Sequence, residues 1–250
     1  MDLQLKGRTA LVTGASMGIG RAIAVRLAAE GARLAIAARR KDLLEQVADG
    51  IEKAGGTRPA IVVADVMQPE SPQRICDEAG RALGKIEILV HSAGGSRPIN
   101  WQAPDQVWDE ALMLNFTRLR QLTHATLPGM IAQKWGRIIN ITGKSEPERI
   151  NASFAAKAAV HAWAKGLSRE VGRHGITVNS IAPGRIISEQ ILRLYPEKDR
   201  REFAEREIPV GEYGQPEDLA VLAAFLASPL ARYMTGTVIP VDGGLRRYQF

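Results

Sequence analysis

The sequence predicts a doubly wound α/β fold, a parallel sheet with helices on both faces. Three observations carry that expectation. Short apolar, β-branched runs alternate with longer amphipathic stretches along the whole chain, the rhythm of successive β–α–β units. The short runs read as near-continuous hydrophobic stretches, as expected for parallel strands covered on both faces. No Pro-, Gly- or Ser-rich linker, composition step or internal repeat divides the 250 residues, so the length reads as one domain, 1–250.

Taken in order, strands are expected at residues 9–13, 34–38, 60–64, 86–91, 137–142, 177–182 and 237–241. Helices are expected at 19–30, 42–53, 71–83, 107–133 and 153–174. With 45% hydrophobic and 24% charged residues, the chain is neither disordered nor low in complexity. Its one cysteine, Cys76, cannot close an intramolecular disulfide, which points to a reducing compartment, the cytoplasm. The first residues lack the pattern of a secretory signal, and no apolar run approaches the roughly 20 residues that span a bilayer. A net charge of +6 is scattered, without like-charge blocks or a nucleic-acid-binding signature. A phosphate-bearing small molecule accounts for it; neither nucleic acid nor membrane is expected as a partner.

The strongest chemical signal is the first strand–turn–helix. Gly14, Gly18 and Gly20 fill the turn between the strand ending LVT and the following helix. Glycines there let backbone N–H groups approach a pyrophosphate, and the helix N-terminus favours its negative charge. A second strand follows, the context a dinucleotide fingerprint requires. At the end of that strand a cofactor without a 2′-phosphate is usually held by a carboxylate. Here Ala38 is followed by Arg39 and Arg40, with no carboxylate before Asp42. Arginine forks match phosphate oxygens, so NADP(H) is expected over NAD(H).

Over residues 6–244 the chain resembles the short-chain dehydrogenase/reductase family. TGASMGIG at 13–20 matches the family's TGxxxGxG; Asp65 and Val66 match the pair flanking adenine; HSAG at 91–94 stands where NNAG is usual. Asn115, Lys157 of the YxxxK motif, PGRIIS at 183–188 and VDGG at 241–244 complete an ordered set. The resemblance implies a seven-stranded sheet in the order 3-2-1-4-5-6-7. It implies cofactor contacts from Gly14, Ser16, Gly18, Ile19, Gly20, Arg39, Arg40, Asp65, Val66, Ala93, Gly94, Asn115, Lys157, Pro183, Gly184, Ile186 and Ser188. It also implies a substrate lid at about 188–213, and a homo-oligomer, dimer or tetramer, that uses the helices 107–133 and 153–174.

Two positions depart from the family pattern. The tyrosine four residues before the lysine is Ser153, on the same helix face as Lys157. A serine hydroxyl is a far weaker acid than a phenol and should not replace it directly. The serine expected at the end of the fifth strand is Gly143. Thr142, Lys144 or Ser145 are the candidate replacements as donor. The catalytic candidates are therefore Asn115, Lys157, Ser153, Lys144 and Ser145. Tyr195 in the lid, Glu146, Glu148 and His161, one turn beyond Lys157, are weaker ones. His91 is expected at the end of the fourth strand without an acid/base task. Trp101, Trp108, Trp135 and Trp163 are expected as core or interface anchors. No histidine pair has metal-ligand spacing, and no metal is expected.

Three functions fit these residues. One is an NADP(H)-dependent oxidoreductase acting on a small carbonyl, alcohol or imine. In it, Lys157 passes a proton through a water held by Ser153 and Asn115. The others are a non-redox enzyme (dehydratase, isomerase or aldol-type) and a non-catalytic nucleotide-binding protein.

Overall fold

The structure is a computed structural model that describes residues 1–143, 147 and 149–247, apart from the side chains of Gln190 and Leu194. Its strands are β1 (Thr9–Thr13), β2 (Arg33–Ala38), β3 (Ala60–Val63), β4 (Ile88–His91), β5 (Gly136–Ile141), β6 (Ile176–Pro183) and β7 (Val238–Val241). They form one parallel sheet in the order β3-β2-β1-β4-β5-β6-β7, as the family resemblance implies.

Side-chain alternation explains how each strand serves two cores. In β1, Val12 joins a cluster on one face of the sheet, whereas Leu11 joins the cluster on the other. In β2, Leu34 and Ile36 face the first cluster, and Ala35 and Ala37 the second. The first core is closed by α1 (Gly18–Ala29), α2 (Lys41–Lys53) and α9 (Pro216–Ala227), through Ile23, Leu27, Leu44 and Leu219. The second is closed by α3 (Ser71–Leu83), α5 (Arg118–Ala132) and α6 (Ala152–Val171), through Ile75, Leu122, Met130 and Leu167. Two shorter helices, α7 (Glu189–Leu194) and α8 (Glu197–Glu207), follow β6. No helix among the described residues is long and apolar enough to cross a membrane.

Three expectations need correction. The helix expected at 107–133 is divided into α4 (Asp105–Leu112), a π-helical segment Met113–Thr117, and α5. Hydrophobic spacing alone does not reveal where the backbone bonds widen. Helix α9 is absent from the expected elements because its apolar run lacks a strong periodicity; it starts at Pro216, with Asp218 Oδ2 accepting from Gln215 N at 2.7 Å. Trp101 is 78% exposed and anchors no core. Trp135, in contrast, is held between the guanidinium groups of Arg8 and Arg137, 4.2 and 4.4 Å from its ring centroid.

Candidate active site

The strand order reverses between β1 and β4, which opens a crevice at the C-terminal edge of the sheet. A cleft of about 620 Å³ runs along that edge. Gly14, Ser16, Ile19 and Gly20 form its floor at the β1–α1 turn. Gly14 has φ +66°, and a Cβ there would stand 2.6 Å from Ala93 N. A Cβ on Gly20 would collide with the Gly14 carbonyl oxygen. Glycine at these two positions lets the turn close on itself and pack against the segment after β4, which sets the start of α1 beside the cleft.

Arg39 and Arg40 line the end of the cleft nearest β2. Arg40 donates to Met17 Sδ at 3.2 Å, whereas Arg39 is exposed and has no hydrogen-bond or ion-pair partner among the described residues. Asp65 and Val66 form the wall after β3; Asp65 Oδ1 accepts from Met67 N at 3.0 Å, which holds that turn. Ala93, Gly94, Pro183 and Ser188 continue the lining. Ser188 also caps α7, accepting from Ile191 N at 3.2 Å. Gly18, first residue of α1, is not part of the wall, and Gly184 lines the adjoining cavity instead. Ile186 is turned into the core, its backbone bridged to Gly214, so its side chain does not reach the cleft.

At the opposite end, Lys157 from α6 lines both this cleft and an adjoining cavity of about 310 Å³. Its Nζ donates to the Thr142 carbonyl oxygen at 3.0 Å. Burial disfavours the charged form and pushes the ammonium down to about pKa 8. Thr142 is fixed in turn. Its hydroxyl donates to Ile181 O at 3.1 Å, and His161 Nε2 lies 2.8 Å from Thr142 Oγ1. The hydroxyl proton being committed, the imidazole is the donor in that contact. Thr142 Oγ1 is therefore no donor for a substrate, contrary to one expectation.

Asn115 sits in the π-helical segment and is buried. Its Nδ2 donates to Ala111 O at 3.0 Å, the carbonyl that regular α-helical bonding would assign to the Asn115 backbone N–H. Its Oδ1 accepts from Gly95 N at 3.1 Å. Ser153 is fully buried, and its Oγ accepts a long contact of 3.4 Å from Asn115 Nδ2. Neither Asn115 nor Ser153 lines the cleft or the cavity. Lys144, Ser145, Glu146 and Glu148 lie outside the described residues. His91 ends β4 as expected; Nε2 meets Thr123 Oγ1 at 2.8 Å, and burial pushes the ring down to about pKa 3, which keeps it neutral.

The chain matches, over residues 14–246, a family model described as enoyl-(acyl carrier protein) reductase. It is 39% identical over 248 residues to the 3-oxoacyl-[acyl-carrier-protein] reductase FabG of Pseudomonas aeruginosa, covering 97% of this chain and 99% of that one. Among solved structures it superposes on a short-chain type dehydrogenase/reductase from Mycobacterium marinum with a TM-score of 0.91, at 34% identity over 99% of this chain and 98% of that one. The chain belongs to the short-chain dehydrogenase/reductase family. The L-sorbose reductase of Gluconobacter frateurii, solved with NADPH and L-sorbose, is a further similar structure: TM-score 0.94, 30% identity, 99% of this chain and all of that one.

As a short-chain dehydrogenase/reductase, the protein is an oxidoreductase of that type. Two features of its site escaped sequence reasoning. His161 is spaced four residues from Lys157, but that spacing does not disclose that both reach Thr142. Arg185, directly after the PG pair, lines the 310 Å³ cavity together with Arg149, Phe154 and Tyr195. An arginine in the loop that follows a strand was the one available signal for it.

Proposed function

We propose that this chain is an NADP(H)-dependent reductase and dehydrogenase for a small carbonyl, alcohol or imine, with Lys157 as its proton donor and acceptor. The observation that carries this reading is the position of the Lys157 ammonium, half-buried where the dinucleotide cleft meets the smaller cavity. The close-packed glycine turn and Arg39, exposed and unpaired among the described residues, fit a dinucleotide with a 2′-phosphate. The similar sorbose reductase, solved with NADPH, supports the same cofactor.

When bound, the reduced dinucleotide supplies the hydride for the carbonyl carbon. Lys157 holds a proton at Nζ for the carbonyl oxygen and is left as the amine, which solvent reprotonates. In the reverse direction the amine takes the alcohol proton. A group with a pKa near the working pH suits both tasks. Thr142 orients the ammonium through its carbonyl, and His161 holds Thr142. Ser153 and Asn115 act behind the site, bracing the Gly95 backbone and the helix segment around Asn115. The same reading makes residues 188–213 a substrate lid and the assembly a homo-oligomer, dimer or tetramer. Leu112 and Ile131, exposed on α4 and α5, support the latter. The single cysteine supports the cytoplasm as its compartment.

The test is a titration with NADPH and with NADH, followed by reduced-nicotinamide fluorescence. Tighter binding of NADPH is expected. No binding of either would overturn the reading.

A further inference from the structure

The 310 Å³ cavity beside Lys157 has an uneven chemistry. Pro98, Ile150, Phe154 and Leu245 give it apolar walls, and Arg149 and Arg185 add two guanidinium groups. No Asp or Glu is among its described lining residues. Arg185 is half-buried, with Cζ 4.8 Å from the Phe203 ring centroid and 6.0 Å from that of Tyr195. Its guanidinium makes no hydrogen bond or ion pair with any described residue, and neither does that of the exposed Arg149. Among the other lid cations, Arg201 pairs with Glu197 at 2.8 Å, Lys198 with Glu202 at 3.7 Å and Arg206 with Glu207 at 2.9 Å, whereas Arg193 is exposed and does not line the cavity.

A half-buried arginine ordinarily satisfies its fork of donors with a carboxylate, a carbonyl or a phosphate. Cation–π attraction to the two rings restricts the side chain's motion without using its N–H donors, so little freedom remains to be lost when an anion binds. We propose that this cavity takes a carbonyl substrate carrying an oxyanion, either carboxylate or phosphate, with Arg185 as its principal anchor and Arg149 as the second. This substrate class rests on the reductase reading above. A cavity of this volume, at the lower end of the usual range for small-molecule sites, fits a compact anion. Phe203 and Tyr195 belong to or border α8 and α7, so an anion on Arg185 would sit directly against the two helices that follow β6.

Two matched pairs of probes test this by ligand-observed NMR titration, with and without NADP⁺: acetoacetate against methyl acetoacetate, and dihydroxyacetone phosphate against dihydroxyacetone. At least one charged member is expected to bind about tenfold more tightly than its neutral partner. Which pair shows the preference tells a carboxylate site from a phosphate site. Arg185→Met is expected to bring the preference to within about twofold, Arg149→Met to reduce it, and Arg185→Lys to keep part of it. Thermal unfolding followed by circular dichroism reports whether each variant is folded; should Arg185→Met fail there, Arg185→Lys and Arg149→Met carry the comparison. Equal affinities for charged and neutral members in the native protein would overturn the proposal, as would a preference untouched by every arginine substitution. Anion preference without any NADP(H) binding would sustain this site and sink the reductase reading.

Discussion

His161 Nε2 stands 2.8 Å from Thr142 Oγ1, and the carbonyl of the same threonine receives the Lys157 ammonium at 3.0 Å. One residue therefore joins an imidazole and a lysine spaced four apart on α6. Burial first, then the charges of Lys157 and Arg246, push the His161 pKa down, so the ring stays neutral and donates. Replacing it with Phe leaves a buried hydroxyl oxygen without its donor, at a cost of about 1–3 kcal/mol. Urea denaturation of His161→Phe should show that loss. His161→Gln, which keeps a donor, should recover most of it. The alkaline limb of the activity profile should move in His161→Phe and return in His161→Gln, which a purely structural role would not produce.

Lys157 sets the expected pH dependence. Its pKa, lowered by burial to about 8, makes the ammonium the main form below that pH and the amine the main form above. Carbonyl reduction consumes a proton and should fall as pH rises through about 8. Alcohol oxidation needs the amine and should rise over the same interval. Initial rates in both directions from pH 6 to 10 would show it. Lys157→Met should lower both rates about 100-fold or more; a rate within a few-fold of native would exclude lysine as the acid.

Arg39 decides between the two nicotinamide dinucleotides. It is exposed at the rim and unpaired among the described residues, so its contribution to a 2′-phosphate is moderated by solvent. Arg39→Ala should weaken NADPH about tenfold and leave NADH within about twofold. Equal losses for both would remove the phosphate assignment.

Glu87 ties the start of the central strand β4 to the start of β1. It is 3% exposed and meets Arg8 at 2.8 Å, Lys85 at 2.9 Å and Thr9 N at 3.0 Å. Burial raises its pKa, but the hydrogen bonds from Lys85, Thr9 and Arg8 outweigh that and hold it below the ordinary carboxylate range. Such a group stabilises the fold fully above the unfolded value of about 4.3, and that stability is lost as pH falls through the lower folded value. Glu87→Gln should cost about 2 kcal/mol at pH 7, less than a fully buried pair because both cations are partly wet. The difference from the native protein should narrow below about pH 4.

The chain's local patterns determined a great deal. Apolar runs of strand length, helical stretches between them and glycines at 14, 18 and 20 specify a parallel sheet with a phosphate-ready turn. Each of these is a property of neighbouring residues: strand alternation, helix periodicity, and the absence of a Cβ where backbone must come close. The strand order followed from the family resemblance, and the structure has it.

Only the tertiary structure decided what the side chains around Lys157 do. Ser153 shares a helix face with Lys157 by spacing, yet it is sealed against Asn115 while Lys157 reaches the cleft. Thr142 lost its candidacy as a donor when Ile181 took its proton, a contact 39 residues away in sequence. The π-helical segment that turns Asn115 toward Ala111 and Gly95 leaves no trace in hydrophobic spacing. Arg185 is a loop arginine like others in the sequence, and the fold sets it within cation–π distance of Phe203 and Tyr195. The physical reason is common to all four. Which hydrogen bonds and ring contacts a polar side chain makes depends on partners brought together by the sheet and its covering helices, and local sequence spacing carries no information about them.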